Sequence, residues 1–334
     1  MGAGVVQLLQ MKYGVNVFAD RVYDGYKPLQ TTAHYPNSDA DDLKNDIAVY
    51  VGCAPNMILV GSGSDEMIDA YIRTYAKRFK KLKVAYSPPT YFQYEAYSSR
   101  INVPIIYLPH DRASIDARQL TEAGCDPKDT VIMLDSPSNP AGEIVSRRQF
   151  IDMLEAGYHV LADEAYYEFH GKTIIDLIPK YPKQLVVTRS FSKFAAMAGS
   201  RVGYIIADPA IIDLIRPHKL FFNVASSSQH RARYALEHVD DFMEAISTMR
   251  KTKQDFVNDT ELLGGYTMHP ALDLYVIFSH KTMPAKQLHD LLLKRHNIET
   301  YFIESFKDKG AVIRATVMEQ PLMQRLADAL KAAA

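Results

Sequence analysis

The chain has little cysteine, no excess of charge of one sign and no long apolar run. Its two cysteines, Cys53 and Cys125, lie far apart and outside any Cys-X-X-Cys or Cys/His cluster. That excludes a disulfide framework and a structural zinc site, and it suits a reducing cytoplasm. Lys plus Arg number 38 against 39 Asp plus Glu, a formal charge of -1. A nucleic-acid or polybasic membrane-binding protein needs a net basic face, so neither kind of partner is expected. Apolar stretches such as Ile205-Ile206-Ala207 are cut by Asp208 and Pro209, far short of the ~20 residues that span a bilayer. The start, Met1 to Val6, lacks the basic and apolar regions of a targeting segment, and Val6 stands where a myristoylation signal has Ser or Thr. GxGxxG with an acidic residue ~20 positions later is missing, which argues against a nicotinamide-dependent oxidoreductase, and the Gly-Lys-Ser/Thr ending of a P-loop is missing too.

What remains is an ordinary globular composition, 47% hydrophobic and 23% charged over 334 residues, long enough for about two domains at ~150 residues each. There is no fixed-period repeat, and the basic run Lys77 to Lys83 reads as a solvated helix end. From about residue 57 to 207, short β-branched runs alternate with helical-period segments, the pattern of βα units on a largely parallel sheet. Strands are predicted at Met57 to Val60, Lys83 to Tyr86, Val103 to Leu108, Val131 to Leu134, His159 to Ala162, Gln184 to Thr188 and Gly203 to Ile206. Met67, Ile68, Tyr71, Ile72 and Tyr75 mark one face of a helix opened by Asp65-Glu66.

From Ile211 onward the pattern turns helical across Gln229 to Leu263, then strand-like at Leu274 to Phe278, helical from Pro284 to Lys294 and strand-like near Thr300 and Val312. The expected fold is therefore α/β, a mostly parallel seven-stranded domain over residues 31–229 with a smaller α+β domain from residues 1–30 and 230–334.

Ligands of open α/β sheets sit beyond the carboxyl ends of the strands, and four such ends here carry chemistry. Gly61-Ser62-Gly63-Ser64-Asp65-Glu66 turns into a helix with free N–H groups suited to a phosphate. Asp135-Ser136-Pro137-Ser138-Asn139-Pro140 can aim the Asn139 amide into a cleft. Asp163-Glu164-Ala165-Tyr166 puts a carboxylate at a buried strand's end, with a phenol three residues on. Arg189-Ser190-Phe191-Ser192-Lys193 sets an amine among small and apolar residues, ahead of Arg201. Desolvation and nearby positive charge are what make a lysine nucleophilic. Each turn alone is also what a plain strand-to-helix connection would show; together they supply what pyridoxal phosphate requires, an amine, a carboxylate, an amide and phenol pair and a phosphate cradle.

With these motifs in family order, the sequence resembles the fold-type I pyridoxal-phosphate aminotransferases, and most closely the histidinol-phosphate aminotransferases, from about His34 to the C-terminus. The resemblance implies that Lys193 is the Schiff-base lysine and proton-moving base, and that Asp163 holds the proton on the pyridine nitrogen. It further implies that Tyr166 and Asn139 bond the phenolate oxygen, that Gly63, Ser64 and Asp65 with Ser190, Ser192 and Arg201 hold the phosphate, and that Tyr91 stacks on the ring. Arg314 would grip the substrate's carboxylate or phosphate, with Asn139 beside it, and Tyr35 would cross to the neighbouring subunit of a homodimer. The partners implied are an amino donor and a 2-oxo acid.

Three departures from that pattern bear on the substrate. Phe18-Ala19-Asp20 stands where relatives carry Asn-Glu-Asn-Pro, Asn297 to Phe302 holds no second arginine, and Asp273 replaces an expected Asn. Carboxylates at Asp273, Glu299 or Glu304 would disfavour a dianionic phosphate if they lay near the pocket. A decarboxylase on the same scaffold is the nearest alternative, and a binding protein without catalysis the next, since fold does not decide reaction class.

Overall fold

The computed structural model of the chain describes residues 8–29 and 33–333. Residues 1–6 and the expected boundary between residues 30 and 31 lie outside the described residues. The chain begins with β1 (Leu9–Gln10) and a 3-10 helix over Val17–Gly25, and α1 (Asp41–Val51) leads into the large layer. There β2 (Ile58–Gly61), α2 (Gly63–Arg78), β3 (Lys83–Tyr86), α3 (Gln93–Arg100), β4 (Ile105–Tyr107) and α4 (Ala117–Glu122) follow in turn. The layer is completed by β5 (Thr130–Asp135), α5 (Arg147–Glu155), β6 (His159–Asp163), β7 (Leu185–Ser190), β8 (Gly203–Ala207) and α6 (Pro209–Ile215). The sheet has seven strands in the order β2-β8-β7-β6-β5-β3-β4. β8 runs antiparallel to both its neighbours and the remaining pairs are parallel. The carboxyl ends of β2, β3, β5, β6 and β7 therefore share one edge.

All seven predicted strands are present, shifted by at most a residue or two at their ends; the third of them, β4, is shorter than Val103 to Leu108. Every residue of β5 and β7 is buried, because helices cover both faces of the sheet, which is why these strands read as continuous apolar runs. α2 buries Met67, Ile68, Tyr71, Ile72 and Tyr75, the face its spacing predicts. α5 starts with a capping box in which Ser146 and Gln149 satisfy each other's backbone N–H.

Beyond the large layer come α7 (Ser226–Glu237), α8 (Val239–Leu262), β9 (Tyr266–His269), β10 (Tyr275–His280), α9 (Ala285–His296), β11 (Ile298–Glu299), β12 (Tyr301–Ile303), β13 (Val312–Thr316) and α10 (Gln320–Lys331). The predicted helix over Gln229 to Leu263 is two helices, broken at His238, whose ring stacks on Tyr234 at 3.9 Å. α7 runs without interruption through residue 229, the position at which the sequence reading divides the chain. The smaller sheet is antiparallel, β12-β13-β10-β9, and β1 pairs in parallel with β11. The opening segment thus lies against the C-terminal part, and its 3-10 helix packs on α8. No helix among the described residues is long and apolar enough to cross a membrane.

Candidate active site

Because β2, β5, β6 and β7 end on the same edge, their following turns meet. They enclose a cleft of about 560 Å³, counted out to open solvent. Ser64 and Asp65 come from the start of α2, Asn139 from the turn after β5, Asp163 from the end of β6 and Tyr166 from the turn that follows it, Ser190 from the end of β7, and Ser192, Lys193 and Arg201 from the β7–β8 connection; Tyr91 closes one side.

Asp163 is 3% exposed. Its Oδ2 accepts the Tyr94 hydroxyl at 2.7 Å and its Oδ1 the Ala165 N–H at 3.1 Å. Burial pushes its pKa up to about 7 against the pull of the Tyr94 bond, with the Asp135 carboxylate adding to the rise. A cation placed against it would convert this costly buried acid into a paired carboxylate.

Lys193 is half-buried rather than enclosed. Its Nζ donates to the Gly14 carbonyl at 3.1 Å and lies 5.7 Å from the centre of the Tyr166 ring. The buried Tyr166 hydroxyl and Asn139 Oδ1 are both without a hydrogen-bond partner. Buried polar atoms are rarely left so, and here two of them line the same cleft.

At the other end, Ser62 N–H is taken by the Glu66 carboxylate at 2.6 Å, while the first N–H groups of a helix such as α2 have no partner within the helix. Gly63 has φ +75, and a Cβ there would stand 2.6 Å from Arg201 Nη2. A Cβ on Gly203 would come within 2.3 Å of the Ser64 nitrogen. Only glycine lets β8 and Arg201 approach the turn this closely. The Asp65 side chain does not face an anion: it accepts the Tyr91 hydroxyl and Arg201 Nη2, each at 2.7 Å, and so braces both. Any phosphate held here would meet the backbone of Asp65 and not its carboxylate. The Asn139 amide, with its NH₂ turned into the cleft as donor, the Tyr166 hydroxyl, Asp163 and this cradle match the donors and acceptors of pyridoxal phosphate, so the residues present fit that group.

Two predicted residues lie elsewhere. Tyr35 is 83% exposed and stacks on Phe222 at 4.9 Å, outside the cleft of its own chain. Arg314, on β13, does not line the cleft; its guanidinium lies between the rings of Tyr275 and Tyr301, at 4.4 and 4.5 Å. Its Nη2 donates to the Lys12 carbonyl at 2.8 Å and its Nε has no partner. The carboxylates at Asp273 and Glu299 are not part of the wall either; Asp273 pairs with Arg250 at 2.6 Å and Glu299 with Lys12 at 3.4 Å. Glu304 is exposed and also absent from the wall.

Sequence reasoning missed Asp135, which lines the cleft, and Tyr94, which bonds Asp163. A carboxylate closing the apolar run Val131 to Leu134 was a signal for the first; Tyr94 carried none, since a buried tyrosine on α3 looks like core.

The family model for aminotransferase class I and II matches residues 6–330. Among curated proteins, the histidinol-phosphate aminotransferase of Desulfitobacterium hafniense is 34% identical over 218 residues, 63% of this chain and 59% of that protein. The chain thus aligns with somewhat more than half of that relative's length. Among solved structures, a histidinol-phosphate aminotransferase from Clostridium acetobutylicum superposes with TM-score 0.82 at 22% identity, over 98% of this chain and 99% of that one. An L-threonine-O-3-phosphate decarboxylase from Porphyromonas gingivalis does so with TM-score 0.80 at 20% identity, over 98% and 99%. At these identities the superpositions establish the shared fold. With the family model spanning nearly the whole sequence, the chain belongs to the aminotransferase class I and II family.

Proposed function

We propose that the protein is a pyridoxal-phosphate-dependent aminotransferase, moving an amino group from an amino-acid or histidinol-phosphate-like donor to a 2-oxo acid such as 2-oxoglutarate. The observation that carries this reading is the grouping in one cleft of Lys193, the near-neutral buried Asp163 and the two unpartnered atoms on Asn139 and Tyr166. Pyridoxal phosphate, when bound, supplies an electron sink for the bond broken at the substrate's Cα.

The chain's own residues do the rest. Lys193 Nζ anchors the cofactor and then takes the Cα proton and returns it. Asp163 keeps a proton on the ring nitrogen, Asn139 and Tyr166 bond the phenolate oxygen, and Tyr91 covers the ring. Ser190, Ser192, Arg201 and the backbone of Gly63 to Asp65 hold the phosphate. Arg314, within electrostatic reach of Tyr166, receives the substrate's anionic group once Lys12 releases it. Exposed Tyr35, Leu220 and Phe221 form an apolar surface of the kind that marks an interface. It supports a homodimer in which Tyr35 reaches the site of the neighbouring subunit.

The test is the visible spectrum of the protein loaded with pyridoxal phosphate, before and after a panel of amino acids and histidinol phosphate. A band bleached by one donor identifies half the reaction, and Lys193→Ala is expected to lose both the band and turnover. Retention of both by Lys193→Ala would refute the assignment. The decarboxylase reading draws on the fold shared with the Porphyromonas gingivalis enzyme. Release of carbon dioxide, in place of amino transfer to 2-oxoglutarate, would select it.

A further inference from the structure

Asp135, at the wall of the cleft, and Arg112 form a buried ion pair that the proposed chemistry does not use. Asp135, the last residue of β5, is 2% exposed, and Arg112, in a 3-10 turn, is 1% exposed. Asp135 Oδ1 accepts Arg112 Nη2 at 2.6 Å and the Thr90 hydroxyl at 2.7 Å, while Oδ2 accepts the Asn139 N–H at 2.8 Å. Arg112 also donates to the carbonyls of Asp135 at 2.7 Å, Ser87 at 2.9 Å and Pro89 at 3.0 Å. The pair therefore ties together three segments: 87–91 after β3, the turn at 112, and 135–139 after β5.

Two of those segments present Tyr91 and Asn139 to the cleft, and both residues lie in turns; Asp65 holds the Tyr91 hydroxyl at 2.7 Å, while the pair holds the backbone on which Tyr91 and Asn139 stand. An ionised carboxylate suits the hub, since three donors converge on its two oxygens. An amide would turn its NH₂ toward either Arg112 or the Asn139 N–H. Planar guanidinium geometry suits the other side, because Arg112 must reach carbonyls of two different turns at once. A buried ion pair is weak support for stability, so its role is better sought in what it orients.

We propose that Arg112 and Asp135 are the positioning pair of the active site: they set Asn139 and Tyr91 at the separation that grips the cofactor ring. The proposal rests on the functional reading for the identity of that ring. Its consequence is that breaking one of the tethers loosens cofactor binding without unfolding the protein. Asp135 also faces Asp163 and favours its proton, so the same carboxylate biases the residue proposed for the ring nitrogen.

The test measures pyridoxal-phosphate binding to the ligand-free protein by equilibrium dialysis, with thermal unfolding and the visible band of the bound cofactor recorded alongside. Thr90→Val removes one tether and leaves the ion pair whole. It is expected to unfold within a few degrees of the unsubstituted protein, the scale of one lost hydrogen bond to a charged group, and to bind pyridoxal phosphate roughly tenfold more weakly, with a displaced visible band. Asp135→Asn is expected to bind more weakly still, and Asp135→Glu to recover part of the loss. Unchanged affinity and an unmoved band in Thr90→Val and in folded Asp135→Asn would overturn the proposal and leave the pair a fold-stabilising contact. Failure of the unsubstituted protein to bind pyridoxal phosphate is a separate result, which overturns the functional reading and this proposal with it.

Discussion

Asp163 is where local burial and function meet. Burial holds it protonated up to about pH 7, and Glu168, fully enclosed beside Arg189, is likewise pushed up to about 7. In the folded state each keeps a proton that the unfolded chain has released above its ordinary carboxylate pKa. Their favourable contribution is thus fully present below pH 4, and is lost as pH rises through 7. The ligand-free protein is expected to melt several degrees lower at pH 8 than at pH 5, and Glu168→Gln to flatten that slope without touching the cleft. A pyridinium cation against Asp163 favours its charged form, so the cofactor-loaded protein is expected to show a shallower slope, checked by the same melts. Asp163→Ala is expected to cut turnover by orders of magnitude, since nothing would then hold the proton on the ring nitrogen and the electron-withdrawing positive charge of the ring would be lost.

At the scale of elements, the turn after β6 is held to the end of β7 by a second buried pair. Arg189 Nε and Nη2 donate to Glu164 Oε2 at 3.0 and 2.8 Å, and the guanidinium lies 3.6 Å over the Tyr167 ring. These residues directly adjoin Ser190 and Asp163, so the pair sets the ends of both strands. Glu164→Ala would leave Arg189 facing a single carboxylate. Denaturant unfolding is expected to show a loss of about 3–5 kcal/mol, as when one partner of a buried pair is removed. Gly63→Ala is a milder probe. Its φ of +75 and the 2.6 Å approach to Arg201 predict a loss of about 1–2 kcal/mol from the backbone, together with weaker pyridoxal-phosphate binding because Arg201 must shift. The elements were legible in the sequence where period and composition agreed, as in α2 and the fully buried β5 and β7. They were not legible at His238, where helical residues continue on both sides and the break shows in the backbone, at φ -120 and ψ 30.

At the scale of the molecule, the opening segment acts as a strap across both parts. Met11 accepts the Thr316 N–H, Lys12 bonds Arg314 and Gly14 bonds Lys193 through their carbonyls, and a Cβ on Gly14 would stand 2.0 Å from the Tyr275 hydroxyl. Gly14→Ala is therefore expected to lift the strap and raise KM for the amino donor more than it lowers the melting temperature, as steady-state kinetics and melts together would show. The homodimer reading is tested by mixing Tyr35→Ala with Lys193→Ala, each inactive alone. Exchange of subunits would assemble one whole site per mixed dimer and restore part of the activity; a mixture as inactive as its components would place Tyr35 outside the neighbouring site.

The sequence by itself determined which residues end which strands, and hence that Asn139, Asp163, Lys193 and the Gly63 turn share one edge. Apolar period, β-branched runs and turn chemistry are local properties, written in neighbouring residues. Only the tertiary structure decided that Tyr94 bonds Asp163 from 69 positions away, that Gly14 caps Lys193 from 179, and that Lys12 occupies Arg314 from 302. The same holds for the Arg112–Asp135 hub and for Tyr35, turned out from its own cleft. Such contacts depend on strand order and on how the small sheet packs against the large layer, and no local pattern encodes which distant donor arrives at a given acceptor.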